Sequence, residues 1–120
     1  LRHPRTMPWK LPPKCTMQMC WCSQRLSTNY CVSGQLKTML DRANPLFDTD
    51  YVFTKAYLLA TAAEDASETF AGTEKAVQGW VDCFPRCALA GTVFAGGVNG
   101  AGEIAGHPAL EQAYQMGKEV

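Results

Sequence analysis

AYLLATAAEDASETFAGTEKAVQGWVDCFPRCALAGTVFAGGV, residues 56–98, is the stretch on which the fold turns. Its first seven residues, Ala56 to Ala62, form a nearly continuous apolar run. That is the pattern of a strand buried on both faces, as in a parallel sheet covered by helices. The polar residues Glu64 to Glu68 break the run, with Ser67 placed to cap a helix. Thr73, Ala76, Val77, Trp80, Val81 and Phe84 then recur at spacings of three and four, one face of that helix, and Pro85 stops it. Leu89 to Val98 is a second apolar strand with glycines gathered at its end.

Working outward, the same alternation continues on both sides. Upstream, Ser33 caps a helix whose inner face carries Leu36, Met39 and Leu40, and Asn44-Pro45 ends it. Phe47 to Thr54 reads as a loop. Downstream, Asn99 to Glu103 forms a loop before a last helix that opens at Pro108 and turns Leu110, Ala113, Tyr114 and Gly117 inward. The pattern predicts strands over 56–62 and 89–96 and helices over 34–43, 68–84 and 108–118. Strand, helix, strand, helix with short connections defines a doubly wound α/β domain with parallel strands.

Residues 1–26 have a different character, mixing Pro, Met, Trp and Cys with no helix or strand period. The expected organisation is an irregular or foreign extension over 1–28 and a partial domain over 29–120. Of the 120 residues 47% are hydrophobic and 18% charged, which suits one packed domain rather than a disordered chain. Eleven basic residues balance eleven acidic ones, which argues against a nucleic-acid partner, since such binding rests on neutralising phosphates. No apolar run approaches the roughly 20 residues needed to span a bilayer. The start lacks the apolar stretch of a signal peptide, so neither a membrane nor secretion is expected and a cytoplasmic protein is the default. The six cysteines then read as reduced thiols, with a metal site or disulfides as alternatives. Cys15, Cys20, Cys22 and Cys31 do not have the paired C-x-x-C spacing of zinc sites.

Open parallel sheets bind ligands beyond the carboxyl ends of their strands. Three segments meet that condition: Asn29 to Gly34, Thr61 to Asp65, and Gly96 to Gly100. Their small residues let main-chain groups approach a flat ligand closely.

Residues 29–42, NYCVSGQLKTMLDR, resemble the flavin loop and following helix of NAD(P)H-dependent FMN reductases and related iron–sulfur flavoproteins, which commonly read P-x-Y-x-x-x-x-S-G-Q-(L/M)-K-x-x-x-D-R there. QGWVDCF at 78–84 and GEIAGHPALEQAYQMGK at 102–118 also resemble that family, so the likeness covers about residues 29 to 120. It implies a flavodoxin-like domain, truncated on its amino-terminal side, with FMN at the strand ends and hydride passing from NAD(P)H to the flavin and on to an acceptor. The cofactor does such chemistry and the protein positions it, so no catalytic side chain is required. Carried over by position, Asn29, Tyr30, Ser33 and Gly34 would flank the ring, and Ala62, Ala63 and Glu64 would lie along its polar edge.

Each of these positions also has a plainer reading. Tyr30 can be a packing aromatic, Ser33 a helix cap, and Glu64 with Asp65 solvated residues ahead of a helix. Trp80 reads as packing and His107 as a cap or an exposed residue. Lys37 and Arg42 fall on the solvent side of their helix.

The 120 residues carry no G-S-x-R-x-x-x-N-T-like loop, the element that holds the FMN phosphate in the family, and no compact cluster of cysteines. Charge-assisted hydrogen bonds contribute roughly 1.5–3 kcal/mol each, so lacking three or four weakens FMN by very roughly three to eight orders of magnitude. A sheet without its front strands also keeps an unpaired edge, which favours self-association, here a homo-oligomer. Two other functions therefore stand beside the oxidoreductase. One is a non-catalytic fragment of the fold that binds no flavin. The other is a small metal-binding protein using Cys15, Cys20, Cys22 and Cys31.

Overall fold

The computed structural model describes residues 17–20, as main chain, and 31–119. In chain order the elements are β1 (Met17–Cys20), α1 (Gly34–Arg42), a short 3-10 helix (Asn44–Asp48), β2 (Lys55–Thr61), α2 (Ser67–Val81), β3 (Ala88–Ala95) and α3 (Pro108–Lys118). The strands form one sheet in the order β1-β2-β3, and both pairings are parallel. The expected strands and helices are therefore present to within one to three residues at each end, and the chain is an α/β protein.

β1 is a correction. It lies inside 1–28, read as irregular from the sequence, yet Met17 to Cys20 pair with Ala56 to Leu59 of β2. Four residues are too few to show a periodicity, and a parallel ladder is made by the main chain against an existing neighbour. Proline, which would remove a ladder donor, stops at Pro13 and does not recur until Pro45.

The two faces of the sheet can be told apart by their packing. Ala56 and Leu58 of β2 join a core with Leu36 and Leu40 of α1 and with Val77, Trp80 and Val81 of α2. Thr92 and Phe94 of β3 meet Glu74 and Phe70 of α2, so they share that face. Val93 and Ala95 instead pack with Ala109 of α3, and Leu59, Ala113 and Met116 lean on the same cluster. A single extra residue sets this parity: Ala56 pairs with Leu89 but Tyr57 pairs with Gly91, leaving Ala90 as a bulge. Helices thus cover both faces, α1 and α2 on one and α3 on the other.

Local chemistry explains where the helices begin and how they turn. Ser33 caps α1, its Oγ accepting from the Leu36 N–H at 3.1 Å. Leu36 and Leu40 are buried, whereas Met39 is 46% exposed and belongs to the flank of the inner face rather than its centre. Ser67 is not the cap of α2; Ala66 holds that position with no side-chain bond and Ser67 is the first helical residue. α2 ends at Val81, and a tight turn, Phe84 N–H to Val81 C=O at 2.8 Å, carries Phe84 back into the core ahead of Pro85. There Phe84 meets Tyr51, Phe53 and Trp80 at centroid distances of 5.2, 5.2 and 4.7 Å. Trp80 packs as expected, and its Nε1–H also donates to the Leu40 carbonyl at 3.2 Å, tying α2 to the last turn of α1.

The inner face of α3 is rotated from the expected one. Ala109, Ala113 and Met116 face the sheet, while Leu110 and Tyr114 are 46% and 61% exposed. The reason is steric. β3 offers a shallow surface there, and a Cβ on Gly91 would lie 2.5 Å from the Met116 sulfur, so Gly91 is the slot that Met116 fills. Small residues at 109 and 113 let the helix come close enough to use it.

Candidate functional site: the loops at the strand carboxyl ends

The β2–α2 loop and the β3–α3 loop are joined through their main chains. Ala62 donates its N–H to the Ala95 carbonyl at 3.1 Å, and its own carbonyl accepts from the Val98 N–H at 2.9 Å. Just beyond, a Cβ at Gly96 would come within 2.6 Å of the Asp65 Cα, so only glycine permits this approach. Two of the three expected ligand segments therefore form one continuous edge over the ends of β2 and β3.

Of the residues placed there from the sequence, Ala62 is half-buried and both its main-chain groups are committed to β3 and its loop. Ala63 and Glu64 are exposed on the same loop. Ser33 is buried as the cap of α1, its carbonyl accepting from the Lys37 N–H at 2.9 Å. Gly34 is exposed, and nothing lies within 4 Å of where its Cβ would be, so the amino end of α1 is open on that side. Asn29 and Tyr30 lie outside the described residues.

The third loop carries the Glu103 contacts and the His107–Gly96 contact, which the sequence reading did not single out. The Glu103 carboxylate accepts from two consecutive main-chain donors, the Asn99 N–H at 2.7 Å and the Gly100 N–H at 3.0 Å. Successive N–H groups make a natural anion-binding concavity, and here an internal carboxylate fills it. His107 caps α3, its Nδ1 accepting from the Ala109 N–H at 3.1 Å, and its Nε2 lies 3.2 Å from the Gly96 carbonyl oxygen. The cap was legible from His107-Pro108 at a helix start; the bond to Gly96 depends on the loop's tertiary path.

Electrostatic perturbation lies elsewhere, before β3. Chiefly Tyr51, and to a lesser degree Asp50, push the Arg86 guanidinium above its ordinary value, and burial opposes them. The guanidinium sits 4.3 Å from the Tyr51 ring centroid and 3.1 Å from the Asp50 carboxylate. Burial pushes the Cys87 thiol up, away from the thiolate character that a nucleophile or metal ligand needs. Among the described residues no three His, Cys, Asp or Glu side chains gather at metal-binding distance. No helix among them is long and apolar enough to cross a membrane.

Compared with protein-family models, with curated proteins and with solved structures, the chain has no significant match.

Proposed function

We propose that this chain is the carboxy-terminal portion of a flavodoxin-like, FMN-dependent NAD(P)H oxidoreductase fold, whose strand-end loops receive a flavin ring. The observation that carries the reading is the joined edge made by Ala62, Ala95 and Val98 over the parallel strands. The loop after Ala62 carries the exposed residues Ala63 and Glu64, and Gly34 is open at the start of α1. The likeness of residues 29–42, 78–84 and 102–118 to the FMN reductases adds to it. FMN, when bound, would supply the chemistry, accepting a hydride from a nicotinamide and passing electrons on. The chain's own part is to hold the ring through Asn29, Tyr30, Ser33, Gly34, Ala62, Ala63 and Glu64.

The proposal concerns the ring rather than the phosphate. Among the described residues the paired donors Asn99 and Gly100 are taken by Glu103, and the sequence has no phosphate loop of the family's kind. That favours the second reading, a non-catalytic fragment without useful flavin affinity. Titration of the chain into FMN and into riboflavin, followed by flavin fluorescence, separates the two. The first reading expects weak binding of nearly equal strength for both ligands, because nothing distinguishes the phosphate. No quenching of either would leave the fragment reading standing. Tight FMN binding with strong preference over riboflavin would contradict both.

A further inference from the structure

The loop that leaves β3 crosses the strand ends and returns to α3 between two fixed points, and His107 holds both of them. Its Nε2 reaches the Gly96 carbonyl at one end of the loop, and its Nδ1 takes the Ala109 N–H at the other. A carbonyl oxygen can only accept and a main-chain N–H can only donate, so both contacts are hydrogen bonds only for a neutral ring protonated on Nε2. Between these points Gly97, Gly102 and Gly106 have positive φ values of 73°, 88° and 79°. Turns follow at Ala105 N–H to Gly102 C=O, 3.0 Å, and His107 N–H to Ile104 C=O, 2.9 Å. Apolar anchorage is slight: Val98 and Ile104 are only half-buried against the α3 side of the sheet.

We propose that His107 is a pH-sensitive latch, and that a second proton on its ring releases the first turn of α3 from the strap 97–106, which stays held to the strand ends at Gly96 and through the Val98–Ala62 bond. The proton goes to Nδ1, the one ring nitrogen holding a lone pair. This turns the acceptor of the Ala109 N–H into a donor facing a donor, while Nε2–H keeps its bond to Gly96. The break therefore falls on the first turn of α3. The charged groups on these elements are Glu64 and Asp65 of the β2–α2 loop, Glu103 of the strap, and Glu111 and Lys118 of α3. Ala109 is buried against Val93 and Ala95, so loss of its turn also loosens that cluster.

The latch can be tested on the isolated chain with no ligand, independently of any flavin. Labelled protein is followed by NMR from about pH 8 to about pH 5, reading the His107 ring resonance together with amide protection factors corrected for intrinsic exchange. Protection of Ala109 and Leu110 is expected to fall about tenfold or more in step with ring protonation, while Val98, Leu58 and Val77 stay protected. In His107→Gln the amide oxygen can still cap α3 but cannot titrate, so the same amides should show a flat response. Wild-type protection that is unchanged through the ring titration would overturn the latch. So would a pH response that persists in the variant, or one in which β2 and α2 lose protection equally, which is global unfolding.

Discussion

Gly96→Ala tests the close approach on which the strand-end edge depends. The added methyl would stand 2.6 Å from the Asp65 Cα and 3.0 Å from its carboxyl carbon, where ordinary contact needs about 3.4 Å or more. The Asp65 carboxylate oxygen lies nearer still and could swing aside, but the Cα is main chain and cannot. Overpacking of this kind costs roughly 1–3 kcal/mol, and a backbone obstacle places it in the upper half of that range. If the loops part, the Ala62–Ala95 and Val98–Ala62 hydrogen bonds weaken as well, at about 1 kcal/mol each. The expected loss is therefore about 2–4 kcal/mol. Urea unfolding followed by Trp fluorescence should show it, since with a slope of about 1–2 kcal/mol/M the midpoint falls by 1 M or more. Gly79→Ala is the control: it lies in α2 with nothing within 4 Å of its Cβ position, so the better helix former should stabilise by about 0.5–1 kcal/mol. A Gly96→Ala midpoint equal to wild type, with Gly79→Ala behaving as expected, would refute the argument that the two loops touch there.

Other outcomes follow from the same geometry. Phe84→Ala removes the ring shared by Tyr51, Phe53 and Trp80 and should cost about 3–5 kcal/mol, with a red-shifted Trp emission in the folded state. The Cys87 thiol is raised by burial, so in the unfolded chain it ionises at lower pH than in the folded protein. Its contribution is complete below the ordinary thiol range of about 8.5 and is lost as pH rises above it. Cys87→Ala should flatten that alkaline decline in a pH series of urea melts, and wild-type stability that rises with pH there would contradict it. If flavin binds, Tyr30→Ala should weaken FMN and riboflavin alike by about 1 kcal/mol or more, read as a parallel shift of the two fluorescence titrations.

The parts of this fold legible in the sequence are those in which the local signals agree. Residues 56–62 and 89–96 are apolar on both sides because helices cover both faces of the sheet, and each stands between breakers. Ser33 and His107-Pro108 announce their helices because a cap is decided within three residues. Where local signals conflict or are too short, tertiary packing decides. Met17 to Cys20 is a strand because β2 is there to pair with it. The face of α3 is set by Gly91, eighteen residues before Ala109, and helix periodicity cannot report a slot on another element. At the strand ends, the close approach of the two loops was legible in their small residues, but the use of Ala62's own main-chain groups by β3 was not. The same holds for Glu103 folding back onto Asn99 and Gly100. Both depend on the path of a loop rather than on its composition.

The most direct test of the proposed flavin edge is an amide-resolved NMR titration with riboflavin, which removes the phosphate from the question. The account expects fast-exchange shifts concentrated at Gly34, Ala63, Glu64 and the amides of Gly96 to Val98. The segment from Cys83 to Cys87, which lies before β3 at the opposite end of the strands, should not move. Shifts centred on that opposite end, or none at all at millimolar riboflavin, would contradict it.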